Sequence, residues 1–278
     1  MSSLVDKVQD YWNARPCNVK HSQKPIGTRE YFDEVEHKRY RVEPHNREFA
    51  SFDSWNGKEV LEIGCGIGTD TINFARSGAN VTAIDLSSVS LDIAKKRAEV
   101  FGLSDRIEFI QGSAENLTQI LGNRKFDLIY SFGVIHHTPS PENVFCSIRN
   151  HLKDNGEFRV MVYYRWSWRV LEIVLSDIST FMLSLTDINK AIANHSEAQF
   201  GCPVTFTYSS SQLTRMLQDF GLDVTDSSIR HIFPWKVESY VQGLYEKKLI
   251  WRMIPENIFS ALQRRIGWHL CVTAKPHK

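Results

Sequence analysis

The chain has 278 residues, with 33 lysines and arginines against 32 aspartates and glutamates and a formal charge of +1. At 42% apolar and 23% charged residues it has the balance of a folded protein with a full core, which excludes disorder and collagen-like repeats. The cancelled charge argues against a dedicated nucleic-acid binder, since such a protein needs a basic face to displace counterions from phosphates.

Residues 1–55 predict a helical cover. Leu4, Val5, Val8, Tyr11 and Trp12 recur at helical spacing, a proline-bearing loop holds Pro16 and Pro25, and Tyr31, Phe32, Val35 and Tyr40 suggest a second, irregular helix. Over residues 56–163 short apolar runs alternate with amphipathic stretches. Val60–Ile63, Val81–Ile84, Ile107–Ile110, Phe126–Tyr130 and Phe158–Tyr163 read as buried strands, with helices or helix-rich connectors between them. Five strands separated by helices predict an α/β protein with a doubly wound, Rossmann-like, mostly parallel sheet. Residues 164–208 break the alternation with the aromatic-rich stretch Trp166–Leu185, read as a helical lid with a membrane-surface helix as the alternative, and the loop Gly201-Cys202-Pro203. Residues 209–278 resume it: a helix at Ser210–Phe220 closed by Gly221, an extended stretch at Val224–Ile232 and a last strand at Trp268–Ala274. Between them, a second insertion at 234–266 carries Lys236, Lys247, Lys248, Arg252, Arg264 and Arg265 against Glu238, Glu246 and Glu256. That local positive excess fits either a surface that greets an acidic substrate or an ordinary solvated helix face.

Five scattered cysteines, Cys17, Cys65, Cys146, Cys202 and Cys271, never fall in a two-residue-spaced pair. Neither a disulfide framework nor a metal site is suggested, and a reducing cytoplasmic location is expected. The opening MSSLVDKVQD lacks the blocks of a signal peptide, and no run approaches the ~20 apolar residues of a transmembrane span.

The strongest motif is VLEIGCGIGTD, an apolar strand running into Gly64-Cys65-Gly66-Ile67-Gly68. Glycines at alternate positions let the backbone turn sharply and approach a ligand without a Cβ in the way. Farther along, the second strand ends in Asp85, at the carboxyl edge where open α/β sheets bind ligands, so its carboxylate can accept ribose hydroxyl protons. The alternative, a helix N-cap, is served equally by Ser87 or Ser88. A dinucleotide loop needs a third glycine where Thr69 stands; here Gly68 comes one residue early, which disfavours a pyrophosphate cradle, and no P-loop pattern is present.

Taken in order and spacing, Glu62, the G-x-G-x-G, Asp85, the stretch QGSAENL at 111–117 and the run FDLIYSFGVIHHTP from Phe126 resemble the class I S-adenosylmethionine-dependent methyltransferases. The resemblance implies S-adenosyl-L-methionine as cofactor and S-adenosyl-L-homocysteine as product. It implies that Gly64, Cys65, Gly66 and Gly68 line the cofactor, with Glu62 beneath them, Asp85 and Leu86 at the ribose, and Ser113, Ala114 and Glu115 at the adenine edge. The family commonly has Asp where this chain has Ser113. Ser131 is expected to face the methionine portion, and Asp70 either binds the cofactor's ammonium or favours a helix N-terminus. The family also adds a C-terminal antiparallel hairpin to its sheet.

Methyl transfer from a sulfonium is an in-line displacement, so the protein mainly aligns the acceptor and manages its proton. His136 and His137 follow the fourth strand, and an imidazole suits that proton transfer. The segment is similar to those of phosphoethanolamine and cyclopropane-forming lipid methyltransferases, where the second position is the functional histidine, so His137 ranks above His136. The alternative is that one caps the short helix and the other packs. Tyr163, at the end of the fifth strand, is the leading aromatic near the chemistry, and Tyr11, Tyr40 and Trp166 join it as candidates for acceptor contact. Trp12, Tyr31 and Tyr164 are weaker aromatic candidates. The expected partner is a small-molecule acceptor, O- or N-methylated, with no nucleic acid; a homodimer is compatible with the sequence. Competing readings are an RNA or protein methyltransferase, a non-catalytic S-adenosylmethionine-binding protein and, less favoured, an NAD-dependent oxidoreductase.

Overall fold

A computed structural model describes residues 3–176, 192–194, 202–241 and 244–277. Helix α1 (Leu4–Ala14) opens with a capping box: the Ser3 hydroxyl accepts the Asp6 N–H while the Asp6 carboxylate accepts the Ser3 N–H. Helix α2 (Arg29–Val42) is a continuous 14-residue helix where the sequence suggested an irregular one, because Thr28 caps it and Tyr31, Phe32, Val35 and Tyr40 form one buried face. Pro44 separates it from α3 (His45–Ala50).

Seven strands follow: β1 (Glu59–Ile63), β2 (Asn80–Asp85), β3 (Ile107–Gln111), β4 (Phe126–Phe132), β5 (Leu152–Tyr163), β6 (Leu222–Arg230) and β7 (His269–Pro276). They form one sheet in the order β3-β2-β1-β4-β5-β7-β6. The first five strands pair in parallel, and β7 pairs antiparallel with both β5 and β6, the expected terminal hairpin. Side chains alternate across each strand. Leu61, Ile63, Ile129, Val160 and Val162 pack on one face against α6 (Leu117–Leu121), α7 (Pro141–His151) and α9 (Ser210–Asp219). Val60, Val81, Leu128, Tyr130 and Met161 pack on the other against α4 (Thr69–Arg76), α5 (Ser88–Phe101) and the segment from Ala50 to Trp55.

Of the stretch Trp166–Leu185, helix α8 (Trp168–Ser176) is described and the remainder lies outside the described residues. The second insertion forms α10 (Val237–Val241), α11 (Leu249–Arg252) and α12 (Glu256–Ile266). No described helix is long and apolar enough to cross a membrane.

Candidate active site

At the carboxyl ends of β1, β2 and β4, the chain leaves each strand through a loop that bends around one cavity of about 300 Å³. Gly64 turns the backbone out of β1 at φ +75°, with its N–H on the Ile84 carbonyl at 2.7 Å. A Cβ there would lie 2.3 Å from Val134, so only glycine permits the β1 and β4 loops to meet. Gly64, Cys65 and Gly66 line the cavity. Gly68 does not: its left-handed backbone precedes α4, and a Cβ would meet Ala94 at 3.0 Å, so it seats α4 against α5.

Asp85 lies on the cavity wall with Leu86. Its carboxylate accepts the N–H of Gly66 and of Ser87, each at 2.8 Å, which fixes the group and couples the first loop to the second. The N-cap of α5 is Ser87, whose hydroxyl accepts the Ser90 N–H. Burial pushes the Asp85 pKa up, against the backbone donors that lower it. Ser113 and Ala114 also line the cavity, the Ser113 hydroxyl accepting the Glu115 N–H. Glu115 lies off the cavity, because its carboxylate is drawn away to accept the Ser140 N–H.

Glu62 and Asp70 complete an acidic floor. Burial raises the Glu62 pKa well above the carboxylate range, the charge of Asp70 adds to this, and a hydrogen bond from the Thr71 hydroxyl opposes it. Asp70 accepts hydrogen bonds from Tyr40 at 2.8 Å, Asn46 at 3.0 Å and Tyr130 at 3.2 Å, with Arg39 at 3.9 Å. Tyr40 therefore sits behind Asp70 and holds it; it does not line the cavity where an acceptor contact was expected. Arg39 is on the wall beside Glu43, and its guanidinium lies over the Phe132 ring at 5.0 Å. Burial works against its charge, but Glu43 and Asp70 outweigh that and raise its pKa.

Ser131 does not line the cavity either. The alternation of β4 turns it to the opposite face from Tyr130 and Phe132, fully buried, with its hydroxyl donating to the Ile63 carbonyl at 3.2 Å. Phe132 lines the cavity instead. The two histidines separate in the same way. In the 3₁₀ turn Ile135–His137, His137 lines the cavity, while His136 packs behind it, 4.0 Å from Tyr163 between ring centroids. Burial, with the neighbouring His137, pushes the His136 pKa well below its ordinary value. His137 Nδ1 is 3.1 Å from the Val204 carbonyl and 3.1 Å from the Thr205 hydroxyl. A carbonyl only accepts, so Nδ1 carries the proton and Nε2 the lone pair.

Tyr163 lines the cavity as expected, stacked on Trp268 with ring centroids 4.0 Å apart. Tyr11 and Trp166 do not line it: Tyr11 lies beneath Arg15, and Trp166 is 65% exposed. On α1 the cavity side carries Val5, Val8 and Trp12, one helical face, and Tyr11 falls off it. That helix is tied down by Gln9 donating to the Leu86 carbonyl at 3.0 Å and by Asn13 accepting from Ser87 at 2.8 Å. None of the described residues of 234–266 lines the cavity, and Lys236, Lys247 and Lys248 pair with Glu246, Glu256 and Glu172. Two of those lysines are thus paired with the insertion's own acids and the third with an acid of α8. Sequence reasoning gave no role to Arg39 and missed Glu43, Met161 and His269, all on the wall. Arg39 lies in the last turn of α2 and Glu43 caps its end, in a stretch whose polarity reads as solvated surface, and His269 carries no local signal.

The family described as "Methyltransferase domain" matches residues 55–221. The chain is 34% identical over 131 residues to the mitochondrial ubiquinone biosynthesis O-methyltransferase of Schizosaccharomyces pombe, covering 46% of this chain and 47% of that protein. It is 34% identical over 111 residues to a sterol 24-C-methyltransferase of Gibberella zeae, covering 40% and 28%. The chain thus spans less than half the length of these curated relatives. Magnesium protoporphyrin IX methyltransferase from Synechocystis PCC 6803, solved with bound S-adenosylmethionine, shares the fold with a TM-score of 0.58 at 12% identity, covering 99% of this chain and 98% of that one.

Proposed function

The chain belongs to the methyltransferase-domain family, and from that premise we propose that it transfers a methyl group from S-adenosylmethionine to an oxygen or nitrogen of a small-molecule acceptor, with His137 taking the acceptor's proton. The observation that carries this reading is the charge of the cavity: the carboxylates of Glu43, Asp70 and Asp85 on its wall against Arg39. A sulfonium with an α-ammonium is attracted by that field, whereas the pyrophosphate of a dinucleotide is repelled by it. In this reading Asp85 accepts from the ribose diol, and Ser113 and Ala114 meet the base; all three line the cavity. Gly66 exposes its backbone at the loop, where a Cβ would meet no protein atom within 4 Å.

What S-adenosylmethionine supplies is an electrophilic methyl group, whose bond to sulfur breaks as the bond to the acceptor atom forms, leaving S-adenosylhomocysteine. Trp12, Tyr163 and Met161 give the remaining wall an apolar and aromatic surface against which an acceptor can be aligned. With Nδ1 donating to the Val204 carbonyl, His137 Nε2 is the ring atom that takes the acceptor's proton in this reading. His136, behind this wall, acts as packing.

The test is incubation with labelled S-adenosylmethionine and a metabolite extract, followed by a search for products of added methyl mass. His137→Ala is expected to lower turnover of such a product by about 10²–10⁴-fold and to leave S-adenosylhomocysteine binding intact. Unchanged turnover would remove the histidine base from the proposal, and a protein that binds S-adenosylhomocysteine yet methylates nothing would favour the non-catalytic reading.

A further inference from the structure

Beyond the cofactor end of the cavity, four side chains from two distant parts of the chain converge. Glu43 and His45 flank Pro44 at the junction of α2 and α3; His231 follows β6 and His269 begins β7. The antiparallel register sets Arg230 opposite His269, and His269 opposite Tyr163, so the hairpin delivers its histidines to the carboxyl edge of the parallel strands. The rings of His231 and His269 lie 4.6 Å apart between centroids, and those of His45 and His231 are stacked at 5.5 Å. One donor atom from each of Glu43, His231 and His269 lies within 4.8 Å of the others. Glu43 and His269 also line the cavity.

We propose that Glu43, His231 and His269 bind one divalent transition-metal ion of the zinc class at the acceptor end of the cavity, with His45 orienting His269. The donor arrangement is already divided for this role. Glu43 turns one oxygen to Arg39 and the other, Oε1, to within 3.7 Å of His269 Nε2. Zinc bonds of about 2.1 Å at tetrahedral angles place neighbouring donors roughly 3.4 Å apart, so this pair needs only a small contraction. On its other side His269 Nδ1 is 2.9 Å from His45 Nε2. This is the outer hydrogen bond that metal-ligating histidines make, and it leaves Nε2 as the ligand atom. His231 adopts φ +67°, a left-handed conformation that is uncommon for a residue with a Cβ, and its carbonyl accepts the Trp268 N–H at 2.6 Å. That strain directs the imidazole into the cluster instead of continuing the strand.

Two imidazoles and one carboxylate leave a coordination position open. On the transferase reading, an acceptor oxygen takes that position and loses its proton more readily; metal uptake itself does not depend on that reading. The test titrates the metal-free full chain with Zn²⁺ by calorimetry and with Co²⁺ by visible absorption. One equivalent of zinc is expected, with cobalt d–d bands of nitrogen and oxygen ligation. His231→Ala and Glu43→Gln are expected to weaken uptake at least about 10-fold, and His45→Ala about 10–100-fold. S-adenosylhomocysteine binding by His231→Ala serves as the check on folding. No zinc uptake by the wild type, or equal uptake by His231→Ala, overturns the site; if that variant does not fold, absence of the cobalt bands in the wild type overturns it. A wild type that takes up zinc but not S-adenosylhomocysteine supports the metal site and sinks the transferase reading.

Discussion

Gly64 and Gly66 both hold left-handed backbone, at φ +75° and +54°, yet the same substitution means different things at each. An added Cβ at Gly64 drives into Val134, whereas at Gly66 it meets no protein atom within 4 Å. Gly64→Ala therefore combines backbone strain with overpacking and is expected to cost roughly 2–4 kcal/mol of stability. Gly66→Ala carries the strain alone, about 1–2 kcal/mol, but sets a methyl group where the backbone meets its ligand. Thermal unfolding and S-adenosylhomocysteine calorimetry separate them: a folded Gly66→Ala without binding is expected, and binding as tight as wild type would show that this loop does not touch the cofactor. These positions were readable in the sequence because a glycine pattern states a backbone requirement. Ser131 was not, since the strand pattern gives alternation without saying which face carries the cavity. Tyr11 and Trp12 likewise differ by one residue, and only the seating of α1 shows that Trp12 faces inward.

Between elements, the loop before α2 is fastened to the second insertion where Tyr240 Oη meets His21 Nε2 at 3.1 Å. Burial, followed by the charges of Lys38 and Arg39, lowers the His21 pKa from 6.5 to about 3. Between these values the unfolded chain binds more protons than the folded one, so the stability held by a neutral His21 is present above pH 6.5 and is lost as pH falls toward 3. From pH 6.5 to pH 4 the loss from this group is about 3 kcal/mol. Urea unfolding across that range is expected to show a shallower decline for His21→Gln than for wild type; parallel declines would mean that His21 is not held neutral by the fold. The elements themselves were largely legible, because buried strands carry short apolar runs and the crossover helices carry amphipathic ones. The junction of α2 and α3 with the hairpin was not. Glu43 and His45 meet His231 and His269 only because β7 inserts between β5 and β6, a pairing across more than two hundred residues that no local pattern records.

For the molecule as a whole, a formal charge of +1 conceals an uneven distribution. Lys236, Lys247 and Lys248 of the second insertion are paired with glutamates, and Glu43, Glu62, Asp70 and Asp85 gather on the cavity wall. The sheet order brings the ends of β1, β2 and β4 around that cavity, β5 supplies Tyr163, and α1 lies across it, pinned at both ends of the second loop. The binding of a cationic nucleoside there is the premise on which the histidine base depends. The most direct measurement is a calorimetric titration of the full chain with S-adenosylhomocysteine and with NADH, repeated on Asp85→Ala. The wild type is expected to bind one S-adenosylhomocysteine and not NADH. Asp85→Ala, which leaves the Gly66 and Ser87 N–H groups without their acceptor, is expected to bind about 10–100-fold more weakly. A wild type that binds NADH in place of S-adenosylhomocysteine, or an Asp85→Ala variant that binds as tightly as wild type, would contradict this assignment of the cavity.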